Sequence, residues 1–183
     1  NVTNSTISNS TASENGGAIY VNISQIGSTA DVTIYNSKLT GGNVANGGAI
    51  YVASGLVEVD GGTVIGGNTA TENGGAIYIG SKTLNGRILV GQVDIYNAII
   101  GQSDDMGSAN SATLGGGVYV GENGILRTLK SDGVAKISGN KATNNGAGVY
   151  FATNNKHTNA SWLGYGEISN STATNFGGGV YVE

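Results

Sequence analysis

Nearly the same eight letters are written six times along this chain. ENGGAIYV (Glu14–Val21) is followed by ANGGAIYV from Ala45, ENGGAIYI from Glu72, TLGGGVYV from Thr113, NNGAGVYF from Asn144 and NFGGGVYV from Asn175. The tyrosines Tyr20, Tyr51, Tyr78, Tyr119, Tyr150 and Tyr181 fall at spacings of 31, 27, 41, 31 and 31 residues. Self-similarity at a period of about 20–50 residues implies a solenoid, a propeller or an array, because one such unit cannot bury its own apolar face. The pattern inside the unit decides between them.

Within each repeat, Ile-Tyr-Val alternates apolar, aromatic and apolar, which is the period of a strand. Ile19, Val21 and Ile23 share one face, as do Ile50 with Val52 and Ile77 with Ile79. The preceding Gly-Gly is a turn, since glycine accepts positive φ without a Cβ clash. Asn15, Asn46, Asn73 and Asn145 stand before that turn, and Asn is expected there as the next residue to tolerate the left-handed region.

A second strand recurs upstream, with Val and Ile on one face, at Val32–Tyr35, Val57–Asp60 and Val93–Tyr96. A third apolar position recurs nine residues before the first Gly, at Ile7, Ile65, Ile137 and Ile168. An alanine sits four residues before it, at Ala12, Ala70, Ala142 and Ala173. These small residues suit a tight corner, so each unit is expected to hold about three short strands. No helical period is present. A propeller blade needs roughly 40–45 residues and four strands, whereas units of 27–31 fit one turn of a parallel β-helix. The expected fold is all-β, a parallel β-helix (β-solenoid) of about six coils. At ~4.8 Å per coil it makes a rod about 30 Å long. Residues 1–183 read as a single β-helix segment of a longer array, with loop insertions near 101–112 and 154–162.

Composition narrows the function classes. Charged residues make up 11% of the chain and the net charge is −4, so there is no basic footprint for nucleic acid. Abundant Val, Ile, Thr and Tyr argue against disorder. Cysteine is absent, which removes disulfides and thiolate metal sites. No apolar run approaches the roughly 18–20 residues of a membrane helix, so no membrane span is expected in this segment. Asn-x-Ser/Thr acceptors at Asn1, Asn4, Asn9, Asn22, Asn159 and Asn170 are compatible with glycosylation and secretion. The chain starts and stops inside the repeat pattern, so its ends are expected to abut further coils, of the same polypeptide or of a second copy.

GGAIY with an upstream aliphatic-x-x-Asn, at Ile65–Asn68 and Ile137–Asn140, resembles the GGA[ILV] and FxxN repeats of polymorphic outer membrane proteins. Those are autotransporter-type adhesins with β-helical passengers. Ile stands where that motif has Phe, and Ile7 and Ile168 are followed by Ser10 and Ser171 instead of Asn. The resemblance implies a right-handed, pectin-lyase-like β-helix at the cell surface or outside the cell.

Four surface features are candidates for function. If Ile and Val point inward, the six tyrosines form an outward column that either binds sugar rings or packs as a self-stabilising ladder. A Thr/Ser column runs through Thr11–Ser13, Thr69–Thr71, Lys141–Thr143 and Thr172–Thr174. It resembles ice-binding solenoid faces, but it is broken at Asn43–Ala45 and shifts register at Ser111–Thr113. Glu58 and Asp94, with Asp60 nearby, are carboxylates expected on adjacent coils. Glycoside hydrolysis needs two carboxyls ~5–9.5 Å apart, but no basic residue is clearly placed beside them. Asp104 and Asp105 are far short of the six to eight oxygens calcium takes. His157 is the sole histidine and supports no triad.

The reading is a non-enzymatic extracellular structural or adhesive β-solenoid (surface fibre, stalk or adhesin passenger), with no cofactor or metal. Its expected partners are copies of itself, adjacent coils of the parent chain, or surface glycans. A carbohydrate-binding or polysaccharide-cleaving β-helix is the alternative, and an ice-binding solenoid a minor one.

Overall fold

The computed structural model describes residues 1–103, 106–153 and 161–183. Among the described residues every regular element is a strand, so no helix is long and apolar enough to cross a membrane. The chain is a parallel β-helix of six coils whose strands line up into four sheets. One coil shows the plan: Gly55–Asp60 lies on the first sheet, Thr63–Ile65 on the second, Thr69–Asn73 on the third and Ile77–Ile79 on the fourth. Five of the six coils therefore have four strands, not three, and the first coil has three, with only isolated bridges at Thr11 and Asn15 where the third sheet would begin. The alanine expected at a corner is the inward residue of a true strand. Ala70 pairs in register with Val44, and Ala112 with Ala142. The inward residue of this sheet is alanine in most coils and Val44 in the second.

Register explains the recurrence in the sequence. Tyr20 pairs with Tyr51, Tyr51 with Tyr78, Tyr78 with Tyr119, Tyr119 with Tyr150 and Tyr150 with Tyr181. On the second sheet Ile7, Leu39, Ile65, Ile100, Ile137 and Ile168 form one inward column. Leu39, Ile65, Ile100 and Ile137 are fully buried, each worth about 1.5–3 kcal/mol of apolar burial. The first sheet adds Ile34, Val59 and Ile95 to the same core.

Each glycine of the pair has a separate task. The first, Gly74, has φ +67, and its equivalents Gly16, Gly47, Gly115, Gly146 and Gly177 lie within a few degrees of it. The Asn before it stays out of the left-handed region, contrary to the sequence expectation. The second, Gly75, is packed so closely that a Cβ would strike the carbonyl of Gly116 on the next coil. Backbone thus stacks on backbone at this corner.

The asparagine of the aliphatic-x-x-Asn motif enters the interior. Asn68, Asn110 and Asn140 are buried and form a ladder between the second and third sheets. Asn68 Nδ2 donates to Asn110 Oδ1 and Asn110 Nδ2 donates to Asn140 Oδ1, each at 3.0 Å. Each amide also donates to a carbonyl one coil back: Asn68 to Leu39, Asn110 to Ile65 and Asn140 to Ile100. The hydroxyl of Ser171 accepts from the backbone of Asn140 and continues the ladder. Buried polar groups at a corner are in this way satisfied across coils.

The longest repeat carries two excursions. Ser81–Leu84 pairs antiparallel with the start of Arg87–Ile95, and Met106–Gly107 folds back on Ala98–Ser103. The second excursion separates Ile100 from Asn110, which hid Asn110 from the sequence motif. Asp104, Asp105, His157 and the acceptor Asn159 lie outside the described residues.

Candidate functional site: two outward faces

The tyrosines point away from the core, opposite Ile77 and Ile79 in the Ile-Tyr-Ile alternation. Consecutive rings are stacked face to face, with centroids 5.4, 4.5, 5.0, 5.1 and 5.1 Å apart and interplanar angles between 3° and 26°. A stack of this kind hides ring faces and presents ring edges and hydroxyls. Tyr20 is 53% exposed whereas Tyr150 is 4% exposed, its hydroxyl donating to Glu183 at 2.9 Å. Burial raises the phenol pKa of Tyr51, Tyr78, Tyr119 and Tyr150. For Tyr51 and Tyr78 a neighbouring phenol is the next cause, and for Tyr150 the Glu183 carboxylate is. The column is a neutral aromatic spine, and only the rings at its two ends offer an uncovered face.

The first sheet bears an outward column of Thr33, Glu58, Asp94, Arg127 and Trp162. Glu58 and Asp94 do sit on adjacent coils. The next position is Arg127, so a basic residue is in fact beside the pair; register across coils, invisible in linear spacing, places it there. Arg127 donates from Nε to Asp94 Oδ1 at 3.0 Å and from Nη2 to Oδ2 at 3.2 Å. Gln92 Nε2 donates to both oxygens at 2.9 and 3.0 Å. Asp94 is 5% exposed. Burial raises its pKa, and the fork of Arg127 and the Gln92 amide pull it back. Its lone pairs are occupied, which leaves it poorly placed to exchange a proton with substrate. Asp60 accepts from the backbone of Gly61 and Asn97 and holds the following turn. Among the described residues no group of three His, Asp or Glu is arranged for a metal.

In the Thr/Ser column Thr69 pairs with Ser111 and Ser111 with Lys141, but the register slips by one residue between Ala112 and Leu114, the shift expected at Ser111–Thr113. Asn43 and Lys141 also interrupt it. Of the acceptor asparagines, Asn4, Asn9 and Asn170 are exposed and have φ 50, 54 and 53. They occupy left-handed turn positions that directly follow a strand, so backbone geometry alone accounts for Asn there. Asn1 and Asn22 are exposed as well, and Asn22 Oδ1 accepts from Lys82 Nζ at 2.8 Å.

Sequence reasoning gave Trp162 and Tyr165 no role. Both are more than half exposed, with ring centroids 6.4 Å apart and tilted by 47°. Tyr165, but not Trp162, also lines a surface cavity of about 360 Å³ together with Lys130, Asp132 and Val134 among others. Trp162 pairs with Arg127, and only that cross-coil register marks it as outward-facing.

Residues 62–80 match the Chlamydia polymorphic membrane protein (Chlamydia_PMP) repeat. This stretch contains both Ile65–Asn68 and the Gly74–Tyr78 turn and strand. No curated protein and no solved structure matches the chain. The matched stretch and the four parallel sheets together fit a β-helical repeat region similar to those of polymorphic outer membrane proteins.

Proposed function

We propose that the chain is a non-enzymatic, surface-exposed β-solenoid, the passenger region of an autotransporter-type protein, serving as a stalk that carries adhesive surfaces. The repeat match supports the surface location. The observation that carries the mechanical reading is the continuous register: aliphatic and tyrosine columns run through all six coils, and a buried asparagine ladder joins three of them. Such a stack resists bending because neighbouring coils are hydrogen-bonded on four faces. A head-to-tail contact between rods that does not close makes a filament. The uncovered rings of Tyr20 and Tyr181 suit such a contact.

Beads coated with the chain should adhere to cultured epithelial cells well above albumin-coated beads; equal adherence overturns the adhesive role. Negative-stain images should show rods that lengthen with concentration. Particles of fixed length at every concentration overturn the stacking. Release of reducing ends from any polysaccharide would favour the catalytic alternative over both.

A further inference from the structure

We propose that Trp162, Tyr165 and the cavity that Tyr165 lines form a binding site for a neutral hexopyranose unit of a glycan. The inference rests on the adhesive reading and assigns its ligand class. A pyranose has one face of C–H groups and a rim of hydroxyls. Its recognition needs an aromatic ring with an uncovered face beside a few polar side chains. The tyrosine column fails this requirement, because its rings cover one another.

The Trp162 and Tyr165 pair meets it. The rings are tilted instead of stacked, and Trp162 is 58% and Tyr165 52% exposed. One side of the indole lies over the backbone of Gly164, where a Cβ would come within 2.6 Å of Trp162 Cε2. Gly164 thus lets the ring lie flat against the chain with its other side turned to solvent. The adjoining cavity, about 360 Å³, falls within the roughly 300–1,000 Å³ of small-molecule sites. Val134, 53% exposed, extends its apolar wall. Lys130 offers donors and Asp132 acceptors, a pair suited to hydroxyl groups. Their opposite charges cancel, which favours a neutral sugar over a uronate. Trp162 is outward in its strand, since its neighbour Leu163 pairs with the buried Thr128; its free face therefore looks sideways from the rod.

Trp162 is the chain's single tryptophan, so intrinsic fluorescence reads this site directly. The test titrates the whole chain with methyl hexopyranosides of gluco, galacto and manno configuration and with their trisaccharides. Fluorescence and ligand-observed saturation-transfer NMR are both recorded. At least one probe should shift the tryptophan emission saturably. Trp162→Ala and Tyr165→Ala should each weaken NMR-detected binding at least tenfold, and Asp132→Asn severalfold. Gly164→Ala keeps every proposed contact residue but displaces the indole, and should also weaken binding at least tenfold. Tyr51→Phe should leave it unchanged. Unchanged circular dichroism in each variant separates site loss from unfolding. Absence of a shift with every probe overturns the site, as does binding that survives Trp162→Ala. Bead adherence that persists without sugar binding would sink this inference and leave the adhesive reading standing.

Discussion

Asn110 donates its side-chain amide to Asn140 Oδ1, 3.0 Å away and one coil further on, in a place where neither side chain meets solvent. The bond belongs to a ladder in which each member also receives a backbone N–H from the coil before. Asn110→Ala would strand the Asn68 amide and one lone pair of Asn140. A buried unsatisfied group costs about 1–3 kcal/mol. The variant is expected to lose about 2–4 kcal/mol of stability in urea unfolding, and more than Asn36→Ala, whose side-chain bond to Asn4 is exposed.

Gly74→Ala tests the turn. Its φ of +67 disfavours any L side chain, at a cost of about 1–3 kcal/mol. A Cβ there would also press on the carbonyl of Ile77. A fall in melting temperature is expected, whereas Gly86→Ala, with φ +76 but open space around it, should cost less. Equal losses would mean that φ alone matters.

The tyrosine spine predicts an alkaline transition. Tyr51, Tyr78, Tyr119 and Tyr150 hold their protons more tightly folded than unfolded. Stability is therefore intact below the ordinary phenol pKa of about 10 and declines as pH rises beyond it. Tyrosinate absorbance and far-ultraviolet circular dichroism should change together in that range. Tyr51→Phe/Tyr78→Phe should move the transition upward. Ionisation of all tyrosines near their ordinary pKa, with dichroism unchanged, would count against a tightly packed spine.

Arg127→Met leaves Asp94 buried without its cation. Arg127 is itself 36% exposed, so solvent screens part of the pair, and a loss of about 1–3 kcal/mol at neutral pH is expected. Removing the guanidinium also raises the Asp94 pKa further. The deficit should therefore shrink on acidification as Asp94 takes up a proton. A pH-independent deficit would mean that Arg127 matters only for packing.

Thr128 occupies the inward column of Ile34, Val59 and Ile95, and its hydroxyl has no hydrogen-bond partner among the described residues. Thr128→Val keeps the shape and removes the desolvated hydroxyl. A gain of about 1 kcal/mol is expected; a loss would mean that the hydroxyl has a partner after all.

The coil was legible because its requirements are local. Gly-Gly, Ile-Tyr-Val and the upstream Ile repeat wherever backbone must turn or fill the core. The third sheet was harder to see, since Ala70 and Ala142 are inward residues too small to raise an apolar signal. Pairings across coils were harder still. Arg127 reaches Asp94, and Asn110 joins Asn68, only because insertions of different length leave the register intact, and linear spacing obscures both. Trp162 and Tyr165 lie outside the repeated octet, so nothing in the period drew attention to them.

Because each turn meets the next through the same chemistry, rod length is a free variable. Excision of the stretch between Tyr51 and Tyr78 would bring Tyr51 onto Tyr119 and Ile50 onto Val118, contacts of a kind already present. Unequal recombination at the DNA level could thus shorten or extend such a protein by whole turns. That would change the length of the rod while each junction stayed chemically familiar.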